Sequence, residues 1–190
     1  MGAATRYEIL ITGSAIAKRV VELAAEISAD CRETALLALV ILRGGFVFAG
    51  DLLRNFDPAV DVVVDFMSVS SCGDGTTSSG EIQIGEGPNL PVEGKDVLII
   101  EDILETGTTL GFVRDRILER GAKSVRFVTL LEKAGKRECA VTPDYIGFEM
   151  PDVFVVGYGL DHAQKGRNLP DIRVFVPEHT TPGPQHSGGR

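Results

Sequence analysis

Four consecutive aliphatic residues, Val97-Leu98-Ile99-Ile100, run without a break into two adjacent carboxylates, Glu101 and Asp102. A run with no polar alternation has no face to give to water, so a strand built from it must be covered on both sides. It is also far too short to cross a bilayer. Leu36–Leu42 (LLALVIL) has the same character. Two such runs point to strands in the middle of a layered molecule with helices outside them.

The segments between the runs supply those outer layers. Ile16, Val20, Val21, Leu23, Ala24 and Ile27 fall at helical spacing and predict a helix over Ala15–Ser28, with Thr12 or Ser14 as its N-cap. Phe46, Phe48, Ala49, Leu52 and Leu53 predict a second over Phe46–Asn55, and a third is expected over Thr109–Arg120, closed by Gly121. Strands are predicted at Tyr7–Ile11, Asp61–Ser71, Ser124–Leu131, Tyr145–Phe148, Phe154–Tyr158 and Ile172–Val176. Cys72–Gly80 (CGDGTTSSG) reads as a flexible loop, and Glu81–Ile84 as a strand returning antiparallel to the one before it. One domain over 1–178 is expected, with a disordered polar tail from 179 to 190. The alternation of strands and helices gives the fold class: α/β, with a central, mostly parallel sheet flanked by helices.

A net charge of −8 argues against general binding to nucleic acid or to a membrane surface. A polyanionic ligand would have to meet its positive charge in metal ions, backbone N–H groups and a few Lys or Arg. Three cysteines at wide spacing, Cys31, Cys72 and Cys139, suit neither a disulfide framework nor a zinc site. Free thiols in a reducing compartment follow, and with no membrane span and no signal peptide expected, the setting is cytoplasmic.

In a parallel sheet the residues that follow the strands collect at one edge. Arg43-Gly44-Gly45, the 101–109 stretch and Glu132-Lys133 all follow predicted strands. Adjacent side chains on an extended strand point to opposite faces, so Glu101 and Asp102 act together only if the strand ends there and the chain turns. They would then accept hydrogen bonds from a diol or face a divalent cation. Thr106, Thr108 and Thr109 offer hydroxyls, Gly107 lets backbone approach an anion, and the helix start beyond has free N–H groups suited to phosphate. Each piece alone is ordinary: a solvated acidic pair, or a turn. The order of apolar strand, acidic pair, third acid at Glu105 and Thr-Gly-Thr-Thr is what is specific.

That order, VLIIEDILETGTTL over Val97–Leu110, resembles the phosphoribosyl-pyrophosphate (PRPP) signature of the type I phosphoribosyltransferases. LRGGFVFAGDLLR (42–54), VDFMSVSSCGDGTTSSGEIQI (64–84), LLEK (130–133) and PDVFVVGYGLDHAQKGRNLPDI (151–172) are similar in order and spacing to the hypoxanthine-guanine branch of that family. The resemblance covers Tyr7 to Val176. It implies the family's fold, with a small hood and a lid hairpin beside the sheet. It also implies a reaction: a 6-oxopurine displaces pyrophosphate from C1 of PRPP in the presence of Mg2+.

The resemblance assigns roles position by position. Glu101 and Asp102 would hold the ribose hydroxyls, directly or through metal-bound water, and Asp161 would hold Mg2+ with the pyrophosphate. The backbone and hydroxyls of Glu105, Thr106, Gly107, Thr108 and Thr109 would cradle the 5′-phosphate. Arg43 and Gly44, in a loop where this family often has a non-proline cis peptide, would bind pyrophosphate together with Arg167. Lys133 would donate to the 6-oxo group, Phe154 would stack on the base and the Val155 backbone would read the purine edge. Ser71 and Cys72 would open the lid, and the assembly implied is a homodimer or homotetramer. Two positions depart from the pattern. Glu105 stands where the family usually has the Asp that meets purine N7 as general base, and Cys72 stands where the lid usually has Tyr. Preference for xanthine, or loss of catalysis with retention of nucleotide binding, are the alternatives those departures leave open.

Overall fold

Five parallel strands form the middle of the protein, and the computed structural model describes residues 6–32, 34–71, 82–85, 87–133, 135–136 and 141–176. In chain order the elements are β1 (Arg6–Ile11), α1 (Gly13–Asp30), β2 (Leu36–Leu42), α2 (Phe46–Arg54), β3 (Val62–Ser71) and β4 (Ile82–Ile84). There follow β5 (Asp96–Leu104), α3 (Thr108–Glu119), β6 (Ser124–Lys133), β7 (Tyr145–Met150), β8 (Val155–Val156) and β9 (Ile172–Val176). The main sheet has the order β4-β3-β2-β5-β6-β7, with β4 alone antiparallel, paired to β3. The expected hairpin is therefore present as two strands. Its connection, including Cys72, lies outside the described residues, as do Cys139 and the 179–190 tail. Ser71 closes β3, its backbone paired with Ile82.

The unbroken aliphatic runs are buried because both faces of the sheet are covered. Leu98 and Ile100 of β5 pack with Ile16, Leu23, Phe48 and Leu52 of α1 and α2 on one face. Val97 and Ile99 pack with Leu110, Val113 and Ile117 of α3 on the other. This is the two-residue period of a strand meeting two helical stripes. Of the two candidate caps for α1, Thr12 is the one used: its Oγ1 accepts the Ala15 N–H at 3.2 Å.

Chain direction opens a crevice in the middle of the sheet. From β2 the chain passes through α2 to β3 on one side, whereas from β5 it passes through α3 to β6 on the other. The segments leaving the carboxyl ends of β2 and β5 therefore part on opposite faces, which is where open α/β sheets place their ligands. A second sheet, β1-β9-β8, is antiparallel and joins the two ends of the described chain into a hood.

Two polar devices hold the periphery. Asp65 on β3 is buried and accepts the N–H groups of Phe66 and Leu90, both at 2.8 Å. Burial pushes its carboxyl up, but the N–H groups of Leu90, Phe66 and Asn89 outweigh that and hold it below the usual carboxylate range. At the other end, Arg19 of α1 reaches over the outermost strand, β7, donating to Ile146 O at 2.8 Å and Gly147 O at 3.2 Å. No helix among the described residues is long and apolar enough to cross a membrane.

Candidate active site

β5 does not stop at Ile100 as its aliphatic run suggests. It continues as a strand through Glu101 and Asp102 to Leu104, paired only with β6 beyond Ile100. The two carboxylates are brought together by a slip in the strand instead of a turn. Ile100 and Ile103, three residues apart, both face α1 and α2, while Leu104 faces α3 with Val97 and Ile99. β6 slips at the same level, placing Leu130 and Leu131 on one face, with Thr129 Oγ1 donating to Leu131 O at 2.9 Å. The break in alternation spans Glu101-Asp102, so their side chains hydrogen-bond to each other even though they are sequence neighbours.

That pair is electrostatically loaded. Burial pushes the Glu101 carboxyl well above its ordinary range, and the neighbouring Asp102 charge and hydrogen bond push it further. Burial raises Asp102 too, opposed by its hydrogen bonds and by the Arg167 guanidinium. Glu101 Oε2 is buried with no hydrogen-bond partner. A buried carboxylate oxygen left over in this way is an acceptor waiting for a donor or a cation.

Asp102 of the pair, but not Glu101, walls a cleft of about 300 Å³ together with Arg43, Gly44, Ile103, Glu105, Lys133, Phe154, Val155, Leu160, Asp161 and Arg167. Every polar contributor comes from the carboxyl end of a strand or from the hood. The Leu42–Arg43 peptide is cis. Gly44 lies so near Asp102 that a Cβ would overlap its carboxylate, and a Cβ on Gly159 would overlap Gly44 O. Two glycines thus let the β2 loop fit between β5 and the hood. Arg167 pairs with Asp161 Oδ1 at 2.5 Å and donates to Gly159 O at 2.7 Å, and Asp161 Oδ2 accepts the Gln164 N–H at 2.7 Å. Arg43 Nη1 donates to Gln164 Oε1 at 3.4 Å.

At the other end of the cleft, Lys133 is buried and its ammonium pairs closely with Glu105 Oε1. Asp152 Oδ1 stands 3.4 Å from the same nitrogen. Phe154 leaves 51% of its surface open. Behind it the His162 ring packs edge-on at 5.3 Å and accepts or donates to Tyr7 Oη at 2.8 Å.

The remaining expected residues sit beside the cleft. Thr106, Gly107, Thr108 and Thr109 follow Glu105 directly but do not wall the cavity. Gly107 has φ +83°, a conformation that glycine adopts without strain, and it caps α3, which begins at Thr108, one residue before the periodicity suggests. Thr106 Oγ1 lies 3.1 Å from Thr108 Oγ1 and accepts the Thr108 N–H at 3.4 Å, while Gly107, the N-cap, has no side chain to add. Beyond that one long bond, the N–H groups of the first turn of α3 point the way an anion would approach. Among the described residues no three His, Cys, Asp or Glu side chains cluster as a metal cage. Asp152, Gln164 and His162 were not foreseen. Asp152 was hidden by its context, a Pro-Asp turn that reads as a connection.

The phosphoribosyl transferase domain model matches residues 7–163 of the chain. The hypoxanthine-guanine phosphoribosyltransferase of Bacillus subtilis (strain 168) is 45% identical over 170 residues, covering 90% of this chain and 93% of that protein. That of Staphylococcus aureus (strain Mu50) is 43% identical over 171 residues, covering 90% and 94%. The crystal structure of a hypoxanthine phosphoribosyltransferase from Staphylococcus aureus superposes with a TM-score of 0.85 at 42% identity, covering 92% of this chain and 94% of that one.

Proposed function

This chain belongs to the phosphoribosyl transferase family, and from that premise we propose that it is a purine-salvage enzyme. It transfers the phosphoribosyl group of PRPP to hypoxanthine or guanine, giving the nucleoside 5′-monophosphate and pyrophosphate. The observation that carries the reading is one cleft with two unlike ends. Lys133, Glu105 and the half-exposed Phe154 lie at one end, and Arg43, Gly44 and Arg167 at the other.

The geometry suits the reaction as follows. The 5′-phosphate sits on the N–H groups of the first turn of α3, with the hydroxyls of Thr106 and Thr109 as further donors. Glu101 and Asp102 accept the ribose hydroxyls. The Gly44 backbone, Arg43 and Arg167 bind the pyrophosphate and neutralise charge as it leaves. Phe154 stacks on the base, the Val155 backbone reads its edge, and Lys133 donates to the 6-oxo oxygen. A base nitrogen attacks C1 while the C1–O bond to pyrophosphate breaks, the oxygen keeping the bonding pair. The proton released by the base goes to the Glu105 carboxylate. Alignment of these groups accounts for much of the rate.

A Mg2+ bound with PRPP fits the donor set. Glu101 Oε2 is a buried acceptor without a partner, burial and the neighbouring carboxylate oppose charge on the pair, and Asp102 and Asp161 wall the same cleft. Hard oxygen donors supplemented by phosphate oxygens are what this ion takes. Glu101, Asp102 and Asp161 would hold it, and it would supply charge neutralisation for the leaving group. We extend the proposal to a single domain over 1–178, a cytoplasmic setting and a homodimer or homotetramer, which the family resemblance supports.

The test is pyrophosphate release from PRPP with hypoxanthine, guanine, xanthine, adenine and orotate, each with and without Mg2+. Release with hypoxanthine or guanine that depends on Mg2+ is expected. Release with xanthine alone would reassign the base, and PRPP binding without release for any base would make the chain a nucleotide-binding regulator.

A further inference from the structure

Lys133 is buried and touches two carboxylates from different elements, Glu105 at the end of β5 and Asp152 in the turn between β7 and β8. We propose that Asp152 is a positioning residue of the base pocket, holding the Lys133 ammonium in place when Glu105 turns from it to the incoming purine. The proposal deepens the 6-oxopurine reading above and rests on it.

The argument begins with a conflict in the site. Glu105 is committed to Lys133 before any base is present, yet the reaction needs the same carboxylate at the imidazole ring of the base. When Glu105 moves, a cation that is nine-tenths covered would lose its counter-charge, and an uncompensated buried charge is strongly unfavourable. The ammonium would then follow Glu105 or turn to water, and the 6-oxo oxygen would lose its donor. A second carboxylate that takes no part in the chemistry removes the conflict. Asp152 is placed for that task, with Oδ1 3.4 Å from Lys133 Nζ and Oδ2 fixed by Lys136 at 2.8 Å.

The location of Asp152 strengthens the case. It stands two residues before Phe154 in a turn tightened by the Val153 N–H donating to Pro151 O at 2.8 Å. One short segment thus carries both the ring that covers the face of the base and the anchor for the cation that meets its edge. Lys136 and Asp152 are each close to half exposed, and ion pairs of that kind add little stability. What Asp152 sets is where an N–H donor points, and that decides between a 6-oxo acceptor and a 6-amino group that offers none.

Steady-state kinetics of Asp152→Asn and Asp152→Glu beside the unmodified enzyme test this. Asp152→Asn is expected to raise KM for hypoxanthine and guanine about three- to tenfold, with KM for PRPP changed by less than about twofold. Asp152→Glu, which keeps the charge, should bring KM for the base back toward the original. A base KM unchanged in Asp152→Asn overturns the proposal. So does a parallel rise in base and PRPP KM with a lower melting temperature, since that is what general loosening would give. If the unmodified enzyme turned over no 6-oxopurine, the functional reading would fail and the proposal with it. An active enzyme indifferent to Asp152→Asn sinks the proposal alone.

Discussion

Gly44 packs against Asp102 with no room for a side chain between them: a Cβ on the glycine would overlap the aspartate carboxylate. The loop after β2 and the carboxylates at the end of β5 therefore hold their spacing through each other. Since Gly44 O is itself approached by Gly159, the hood is held against the same point. Replacing Gly44 with Ala must part these segments. A displacement of about 1 Å in such a site costs roughly a hundredfold in rate, so Gly44→Ala is expected to lower kcat/KM by about that factor. Turnover near the original value would mean that the two loops separate freely.

Glu105 carries the right charge for a proton acceptor on a side chain one methylene longer than the family pattern. Glu105→Asp is expected to change kcat more than KM for PRPP, by as much as about a hundredfold, because the change acts on the reacting geometry and leaves the phosphate contacts alone. Initial rates over both substrates separate the two constants. Kinetics unchanged in both would remove Glu105 from the chemistry.

Glu101 is held in a setting that opposes its charge: burial first, then the Asp102 charge, raise its carboxyl well above the ordinary range. A carboxyl raised on folding contributes stability below its unfolded value that is lost as pH rises toward the folded one. Glu101→Gln keeps the shape without the proton. Its melting temperature at pH 8 is expected to exceed that of the unmodified protein by about 2–4 °C, while PRPP-dependent turnover falls about tenfold or more. A variant that is both less stable and less active would place the strain elsewhere.

Asp65 runs the opposite way. Its carboxyl is lowered on folding, so the stability it contributes is present above the unfolded value near 3.8 and is lost as pH falls through the folded one. Urea unfolding of Asp65→Asn at pH 7 should show a loss of about 1–3 kcal/mol, the cost of disturbing buried hydrogen bonds. The gap from the unmodified protein should narrow as the solution is acidified below pH 3.8. A gap that stays constant with pH would assign the loss to shape alone.

Much of the fold was legible because burial leaves a mark on composition. Leu36–Leu42 is bounded in the structure as its aliphatic run implies, and the 3.6-residue period located all three helices within two residues at each end. What stayed hidden depends on which segments meet. Val97–Ile100 says nothing of the slip beyond it, since the slip is shared with β6 and shows only as two adjacent leucines facing one way. Phe154–Tyr158 reads as a strand, but only Val155 and Val156 form a ladder, with β9, while Gly157 and Tyr158 bond to the loop that follows them. The polar residues of the cleft were legible by motif, but its apolar walls at Ile103 and Leu160 were not, nor was the pairing of Lys133 with Glu105 and Asp152, because three separate elements supply it.

Arg19 offers a last consequence. By occupying the carbonyl oxygens of Ile146 and Gly147 it takes acceptors that another strand would need along the open margin of β7. Sheet extension on that side is opposed by a side chain of α1, the helix packed beside β7, with no proline in the strand. A strand brought to that margin meets a charged side chain, which is specific to this chain, before it meets backbone, which is common to all proteins. Removing that guanidinium would return two backbone acceptors to any strand that approached.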